Sequence, residues 1–347
     1  MVKDVVVVGS GVAGLTCAYQ LASKGYKVTV VAKHLPSTSI TDSQYTSPWA
    51  GAHFRPAPSK TPEDYRDSKL TRATYKAFKK LAAEFPESSI QFMPGTDYIE
   101  KSDPAYLNLA PGYYEDLENF KVIPTHQLPK NVKFGAKYTA WSLNAPMYLQ
   151  FLERRLEMFF GVKFVQESLG SLEQVAKMFP GNIIINCSGR GLQYRGGYDP
   201  TTFPIRGQTL LVKAPENCPY RKETITYQLA DGRFRFVIPR PLDGGVILGG
   251  TKQPGDLSSS VSEEDTASLI ADGKKRFPEL LIDGEFQVKR VNVGFRPARK
   301  AGVRIEREIV DGTEIVHCYG FGGSGFEMSW GAAEKVVQLV TGSKSKL

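Results

Sequence analysis

The chain has 347 residues, 41% hydrophobic and 23% charged, a composition that describes a folded globular protein and excludes a disordered or fibrous one. The net charge of +8 is spread along the whole chain with no recognisable nucleic-acid-binding motif, so no nucleic-acid partner is expected. No apolar run approaches the roughly 18 residues a membrane span needs, and the opening residues enter a strand without signal-peptide architecture.

Residues 4–14, DVVVVGSGVAG, read as a buried strand entering Gly9-x-Gly11-x-x-Gly14 and then a helix, LTCAYQLASKG, closed by Gly25. Gly9 permits the tight turn and Gly11 permits close approach of a pyrophosphate. Gly14 permits helix and strand to pack, with Ser10, Val12 and Ala13 completing the loop and helix start. A second strand, KVTVVAK, follows at the expected spacing but ends in Ala32-Lys33-His34, where an Asp or Glu for the adenosine ribose is expected. Lys33 and His34 fit either a 2′-phosphate or the adenosine half of another dinucleotide.

Two more strand-then-glycine segments occur: GNIIINCSGRG, leading to Ser188-Gly189, and EIVHCYGFGGSGFEMSWGAAEKVVQLV, with a helix starting near Met328. Three such turns suit one elongated ligand, and a flavin dinucleotide needs backbone amides at both ends. The last helix would aim its positive end at the flavin pyrimidine, which favours FAD. Cys17, Cys187, Cys218 and Cys318 show no metal-like spacing, so no metal is expected, and a reducing compartment fits them.

The succession GSGVAG, SPWAGAHF, INCSG, PIRGQTLLVK, FVIPRP, GGVILGGT, VGFRPARKAGVRIERE and YGFGGSGFEMSWGAAEKV covers nearly the whole chain and resembles the D-amino acid oxidase family. The resemblance implies an FAD-dependent enzyme that takes a D-amino acid to its imino acid by hydride transfer to flavin N5. Oxygen then reoxidises the flavin to give hydrogen peroxide, and the imino acid hydrolyses to a 2-oxo acid and ammonia.

Residue by residue, the family's carboxylate-binding Arg falls on Arg296, which is counted with the flavin positions as well; a planar guanidinium offers two parallel donors to a carboxylate. The family's second carboxylate contact, a Tyr hydroxyl, falls on Phe236 and is missing, so Tyr227 is the candidate replacement. Gly323 falls where a backbone carbonyl meets the substrate amine. His53 and Phe54 would face the substrate, and Gly51 and Ala52 would offer backbone contacts to the flavin. Ser43 and Gln44 fall near the phosphates or ribityl chain, and Leu169, Ser188, Gly189, Gly322, Ser324, Gly325, Phe326 and Glu327 join the cofactor set.

No residue in these motifs is a convincing general base, and hydride transfer needs orientation more than proton abstraction. Arg299, Lys300 and Arg304 read as solvated cations at a strand end or turn. Neutral D-amino acids are favoured. The alternative is a D-aspartate oxidase, whose side-chain cation would be Lys252, assisted by His53. The terminal Ser345-Lys346-Leu347 reads as an address for the peroxisomal import receptor and a matrix location; a homo-oligomer stays open.

The expected fold is α/β: a Rossmann-like FAD-binding domain of residues 1–55, 140–200 and 290–347. Residues 56–140 and 200–290 would form an interleaved α+β substrate domain on a mixed, largely antiparallel sheet.

Overall fold

The computed structural model describes residues 4–342, so Ser345, Lys346 and Leu347 lie outside the described residues. The chain divides into two compact units. One comprises the described residues up to Pro48, Pro146–Ile205 and those from Phe295 onward; the other comprises Trp49–Ala145 and Arg206–Gly294.

The first unit is built on a six-stranded sheet in the order Arg304–Val310, Thr313–Tyr319, Ile183–Asn186, Val5–Val8, Val28–Ala32, Lys163–Gln166. Every neighbouring pair is parallel except the first, which is antiparallel. Val5–Val8 lies at its centre, with Val5 opposite both Val28 and Ile183. All four valines are buried, as a parallel strand covered on both faces requires, and each contributes about 1.5–3 kcal/mol through apolar burial. The helix Val12–Ser23 returns directly from this strand, and Gly25 beyond it takes a left-handed conformation.

The second unit is built on a nine-stranded mixed sheet. Gln91–Ile99 pairs antiparallel with Phe134–Ser142 and parallel with Thr224–Gln228. Thr224–Gln228, Phe234–Pro239, Val246–Gly249 and Thr202–Val212 follow as an antiparallel meander. Strand pleating sends Arg235 and Val237 to one face and Phe236 to the other.

The first of these faces is covered by the helix Glu263–Arg276. That helix starts where the Ser262 hydroxyl accepts from the Asp265 amide, carries three acids in its first turn and ends on Lys274, Lys275 and Arg276, complementing its dipole at both ends. Beneath it Val237, Leu248, Leu269, Phe277 and Leu280 form a buried apolar core.

Candidate functional site

In the first unit the three glycine-rich turns meet. A Cβ on Gly14 would stand 1.8 Å from the Gly9 carbonyl oxygen, and one on Gly9 would stand 2.5 Å from that of Cys187. Gly9 also has φ +103°. Only glycine permits this approach of helix to strand and of the first turn to the second. The second turn reaches the third through the Gly320 amide, which donates to the Gly189 carbonyl at 3.1 Å. Gly322 closes the set: its amide donates 2.8 Å to the Pro297 carbonyl, in the strand that carries Arg296.

The helix Val12–Ser23 begins on Gly11 with no side-chain cap from that residue. Its Val12 amide instead donates to Ser47 Oγ at 3.1 Å. Tyr45 holds the same loop, its Oη donating to the Ser10 carbonyl at 2.6 Å, while Thr46 Oγ1 donates to the carbonyl of Phe295, beside Arg296, at 2.7 Å. This Tyr-Thr-Ser clamp was not foreseen. Its only sequence signal is three consecutive hydroxyls, the last of them the opening serine of the SPWAGAHF stretch.

At the adenosine side Lys33 is exposed, and its Nζ donates to Gln44 Oε1 at 3.3 Å. Gln44 and Ser43 lie in a turn fixed by the Gln44 amide, which donates to Asp42 Oδ1 at 2.8 Å. The His34 carbonyl accepts from Ser10 Oγ, while its ring stacks on Tyr45. Burial lowers the pKa of His34, with Lys33 adding to the effect and Asp42 opposing it. Ser188 Oγ donates to Asn186 Oδ1 and accepts from the Leu192 amide, both at 2.7 Å, which holds Gly189 at φ +73°. Leu169 packs on the apolar cluster of Val6, Val8 and Val31.

The last helix runs Gly325–Thr341, starting three residues before the expected Met328. Phe326 and Met328 are buried, and their packing draws the glycine-serine run into the first turn against its weak intrinsic propensity. Phe326 lies 6.1 Å from the Tyr148 ring, and Glu327 supplies a negative charge beside the positive helix end. Ser324 takes the cap position without a side-chain bond, and Gly323 is exposed ahead of it.

Arg296 is half-buried; a Cβ on Gly323 would stand 3.8 Å from its Cδ, and burial lowers its pKa. Two of its neighbours depart from the solvated reading. Arg299 Nε donates to Asp199 Oδ2 at 2.9 Å, where Tyr319 Oη also donates at 2.9 Å. Arg304 donates to Tyr319 Oη at 2.9 Å and to Glu308 Oε2 at 2.9 Å. Burial would raise the Asp199 pKa, but hydrogen bonds from Thr201, Arg299 and Tyr319 hold it low. Lys300 is exposed, as the solvated reading has it.

In the second unit Gly51 to Arg55 lines the edge of Phe134–Ser142. The Leu143 amide donates to the Ala52 carbonyl at 3.1 Å and the Phe54 amide to the Trp141 carbonyl at 2.8 Å. Ala52 sits at φ +51°. A Cβ on Gly51 would stand 2.7 Å from Ile238 Cδ1, so the loop packs closely on the sheet and a larger residue there would displace the end of that side chain.

Alternation along this extended segment separates its side chains. His53 faces Phe236, ring to ring at 6.4 Å, whereas Phe54 is fully buried against Tyr75, Tyr138 and Trp141. Phe54 therefore belongs to the core and does not face a ligand, contrary to expectation.

The protonation of His53 follows from its partners. Thr224 Oγ1 lies 3.0 Å from the Val237 carbonyl and donates its single proton there, so it accepts from His53 Nδ1 at 2.9 Å. Burial first, and Arg55 second, lower the His53 pKa to about 3. The ring is thus neutral, with its proton on Nδ1 and a lone pair on Nε2.

Arg55, on the same side, pairs with buried Asp97 at 3.1 Å, donates to Tyr106 Oη at 2.9 Å and lies 5.2 Å above the Phe234 ring. Burial raises the Asp97 pKa and Arg55 opposes it. Sequence reasoning passed over Arg55 and Asp97, whose meeting across 42 residues has no local signature.

Phe236 sits opposite Gly249, where a Cβ would stand 2.2 Å from its Cε2; the two glycines of LGGT make room for the ring. Tyr227 does not share this face. It stands opposite Arg235, on the helix-covered side, packed on Tyr98 at 4.8 Å and Phe277 at 5.9 Å under the Arg276 guanidinium. The pleat thus rules out Tyr227 as the substitute hydroxyl beside Phe236. Lys252 is exposed.

A mostly parallel sheet with three converging glycine turns defines a dinucleotide-binding protein. Residues 4–339 match the family described as DAO, FAD dependent oxidoreductase, and the chain belongs to that family. It is 35% identical to the D-aspartate oxidase of Talaromyces thermophilus, covering 98% of this chain and 95% of that one. It is also 35% identical to the D-amino-acid oxidase of Schizosaccharomyces pombe, covering 97% and 96%. Among solved structures it is similar in fold to glycine oxidase from Geobacillus kaustophilus (TM-score 0.75, 16% identity, 99% and 96% covered). L-proline dehydrogenase from P. horikoshii is comparably similar (TM-score 0.75, 17% identity, 99% and 95% covered). The protein is therefore an FAD-dependent oxidoreductase whose two units carry the mixed α/β fold of that family.

Proposed function

We propose that this chain oxidises D-amino acids with neutral side chains to 2-oxo acids, releasing ammonia and hydrogen peroxide. The observation that carries the neutral preference is the state of the cations and of His53 in the second unit. His53 is held neutral with its only N–H committed to Thr224. Arg55 is balanced by Asp97, and Lys252 is exposed. The cation beside His53 thus already carries a carboxylate, and bringing a second one to this face would cost its desolvation. The names of the full-length relatives, which include D-amino-acid oxidases and a D-aspartate oxidase, support the reaction class.

The first unit is read as the FAD domain. The amides of Gly9 to Gly14 and the start of Val12–Ser23 would hold the pyrophosphate. Ser188, Gly189 and the run Gly322 to Glu327 would hold the rest, on turns already in contact with one another. When bound, FAD supplies a two-electron acceptor for the substrate α-C–H bond and hands the electrons to oxygen.

The chain's own part is orientation. Arg296 would grip the α-carboxylate with two donors, and the Gly323 carbonyl would accept from the amine. In the second unit Phe236 and His53 share one face of the sheet. The Nε2 lone pair of His53 suits a neutral or hydrogen-donating group and repels a carboxylate.

Peroxide release from the FAD-supplemented protein on D-alanine, D-aspartate and L-alanine tests this reading. Turnover of D-alanine well above D-aspartate, with none on L-alanine, is expected. A preference for D-aspartate would overturn the neutral assignment, and silence on both D-substrates would overturn the activity. We also infer that Ser345-Lys346-Leu347 directs the protein to the peroxisome, a compartment suited to peroxide chemistry. A fluorescent fusion that leaves that compartment when the tripeptide is deleted is the expected outcome; unchanged location would contradict it.

A further inference from the structure

Three of the four cysteines, far apart in sequence, meet in the first unit. Cys17 lies on the helix Val12–Ser23, Cys187 directly follows the strand Ile183–Asn186, and Cys318 lies on Thr313–Tyr319. All three are buried. Their sulfurs lie within 4.8 Å of one another, with Cys17 and Cys318 at 3.9 Å. The flavin chemistry proposed above uses none of them.

We propose that Cys17, Cys187 and Cys318 form a binding site for one soft monovalent d10 cation, of which copper(I) is the probe. Thiolate sulfur selects such ions over hard ones. The group contains three sulfurs and no His, Asp or Glu among the described residues, whereas a structural zinc site takes four ligands. Three sulfurs about 2.3 Å from a central ion in a trigonal plane stand about 4.0 Å apart. The Cys17–Cys318 separation already meets that figure, so the ion fits after small side-chain rotations.

The site abuts the nucleotide turn, since a Cβ on Gly14 would stand 3.4 Å from Cys187 Cβ.

The test is anaerobic titration of the reduced, FAD-loaded protein with copper(I) held by a competing chelator, followed by sulfur-sensitive X-ray absorption. One equivalent per chain with three sulfur neighbours and no nitrogen or oxygen neighbours is expected. Cys187→Ser or Cys318→Ser should weaken binding by more than about 100-fold. Cys218→Ser, which alters the buried cysteine of the second unit, should leave it unchanged. No retained copper, nitrogen or oxygen ligation, or full retention in a folded Cys187→Ser variant would overturn the proposal. So would a disulfide between Cys17 and Cys318 in the purified protein, read by alkylation and mass. Should a variant fail to fold, the absorption spectrum of the unaltered protein decides the matter alone.

Discussion

The two units carry their chemistry in different ways. In the first it resides in backbone: glycines at Gly9, Gly14 and Gly322, amides at helix starts and the close approach of three turns. In the second it resides in side chains sorted by the pleat, with His53 and Phe236 on one face and Tyr227 and Arg235 on the other. Backbone sites are written as short motifs. Faces of a sheet are set by register, which the chain settles only after strands distant in sequence have paired.

The largest effect should fall on the backbone-built unit. Gly14→Ala places a methyl 1.8 Å from the Gly9 oxygen, and rigid backbone surrounds it. A loss of about 3 kcal/mol or more is expected, with FAD no longer retained on gel filtration. Ordinary stability and retention would break the claim that this contact needs glycine.

The buried pair of the second unit comes next. Asp97→Asn leaves Arg55 without its counter-ion and should cost about 3–5 kcal/mol in urea unfolding. It should also raise the turnover of D-aspartate relative to D-alanine, since a cation is released beside His53. An unchanged ratio would show that Arg55 and Asp97 do not set the specificity.

A pH titration sharpens the same contrast. The His53 pKa is lowered from 6.5 to about 3 in the folded chain, so below 6.5 the unfolded state binds the additional proton. Its contribution is therefore fully present above pH 6.5 and is lost as pH falls towards 3, by about 1.4 kcal/mol per pH unit. His53→Asn should flatten the stability profile in that window. A profile parallel to that of the unaltered protein would contradict the neutral, half-buried ring.

The smallest effects separate the two faces of the sheet. Phe236→Tyr should lower the KM for D-alanine about fivefold, the worth of one added hydrogen bond of about 1 kcal/mol. Tyr227→Phe, on the helix-covered face, should leave that KM within about twofold, because no substrate contact is removed. A large rise in the second variant would return Tyr227 to the substrate.

What was legible in the sequence follows the same division. Val5–Val8, its glycine turn and the order of motifs are local patterns, and they located the dinucleotide unit and the family. The start of the last helix was set three residues late, because Gly-Ser composition concealed the buried Phe326 and Met328. Phe54 was assigned to a ligand and belongs to the core, and Tyr227 was assigned to the wrong face; both are one-residue questions of alternation. The thiol cluster, the Tyr45-Thr46-Ser47 clamp and the Arg55–Asp97 pair depend on contacts between distant segments, which no spacing encodes.

The central claim is that Arg296 anchors the carboxylate of a D-amino acid over bound FAD. Anaerobic addition of D-alanine to the loaded protein, followed by visible absorbance, tests it most directly when Arg296→Lys is run beside the unaltered chain. The account predicts bleaching of the flavin by D-alanine and none by L-alanine. In the variant, the D-alanine concentration for half the rate should rise about tenfold or more while the spectrum of the bound FAD persists. Bleaching that is equal for both enantiomers, or unaffected by Arg296→Lys, would contradict it.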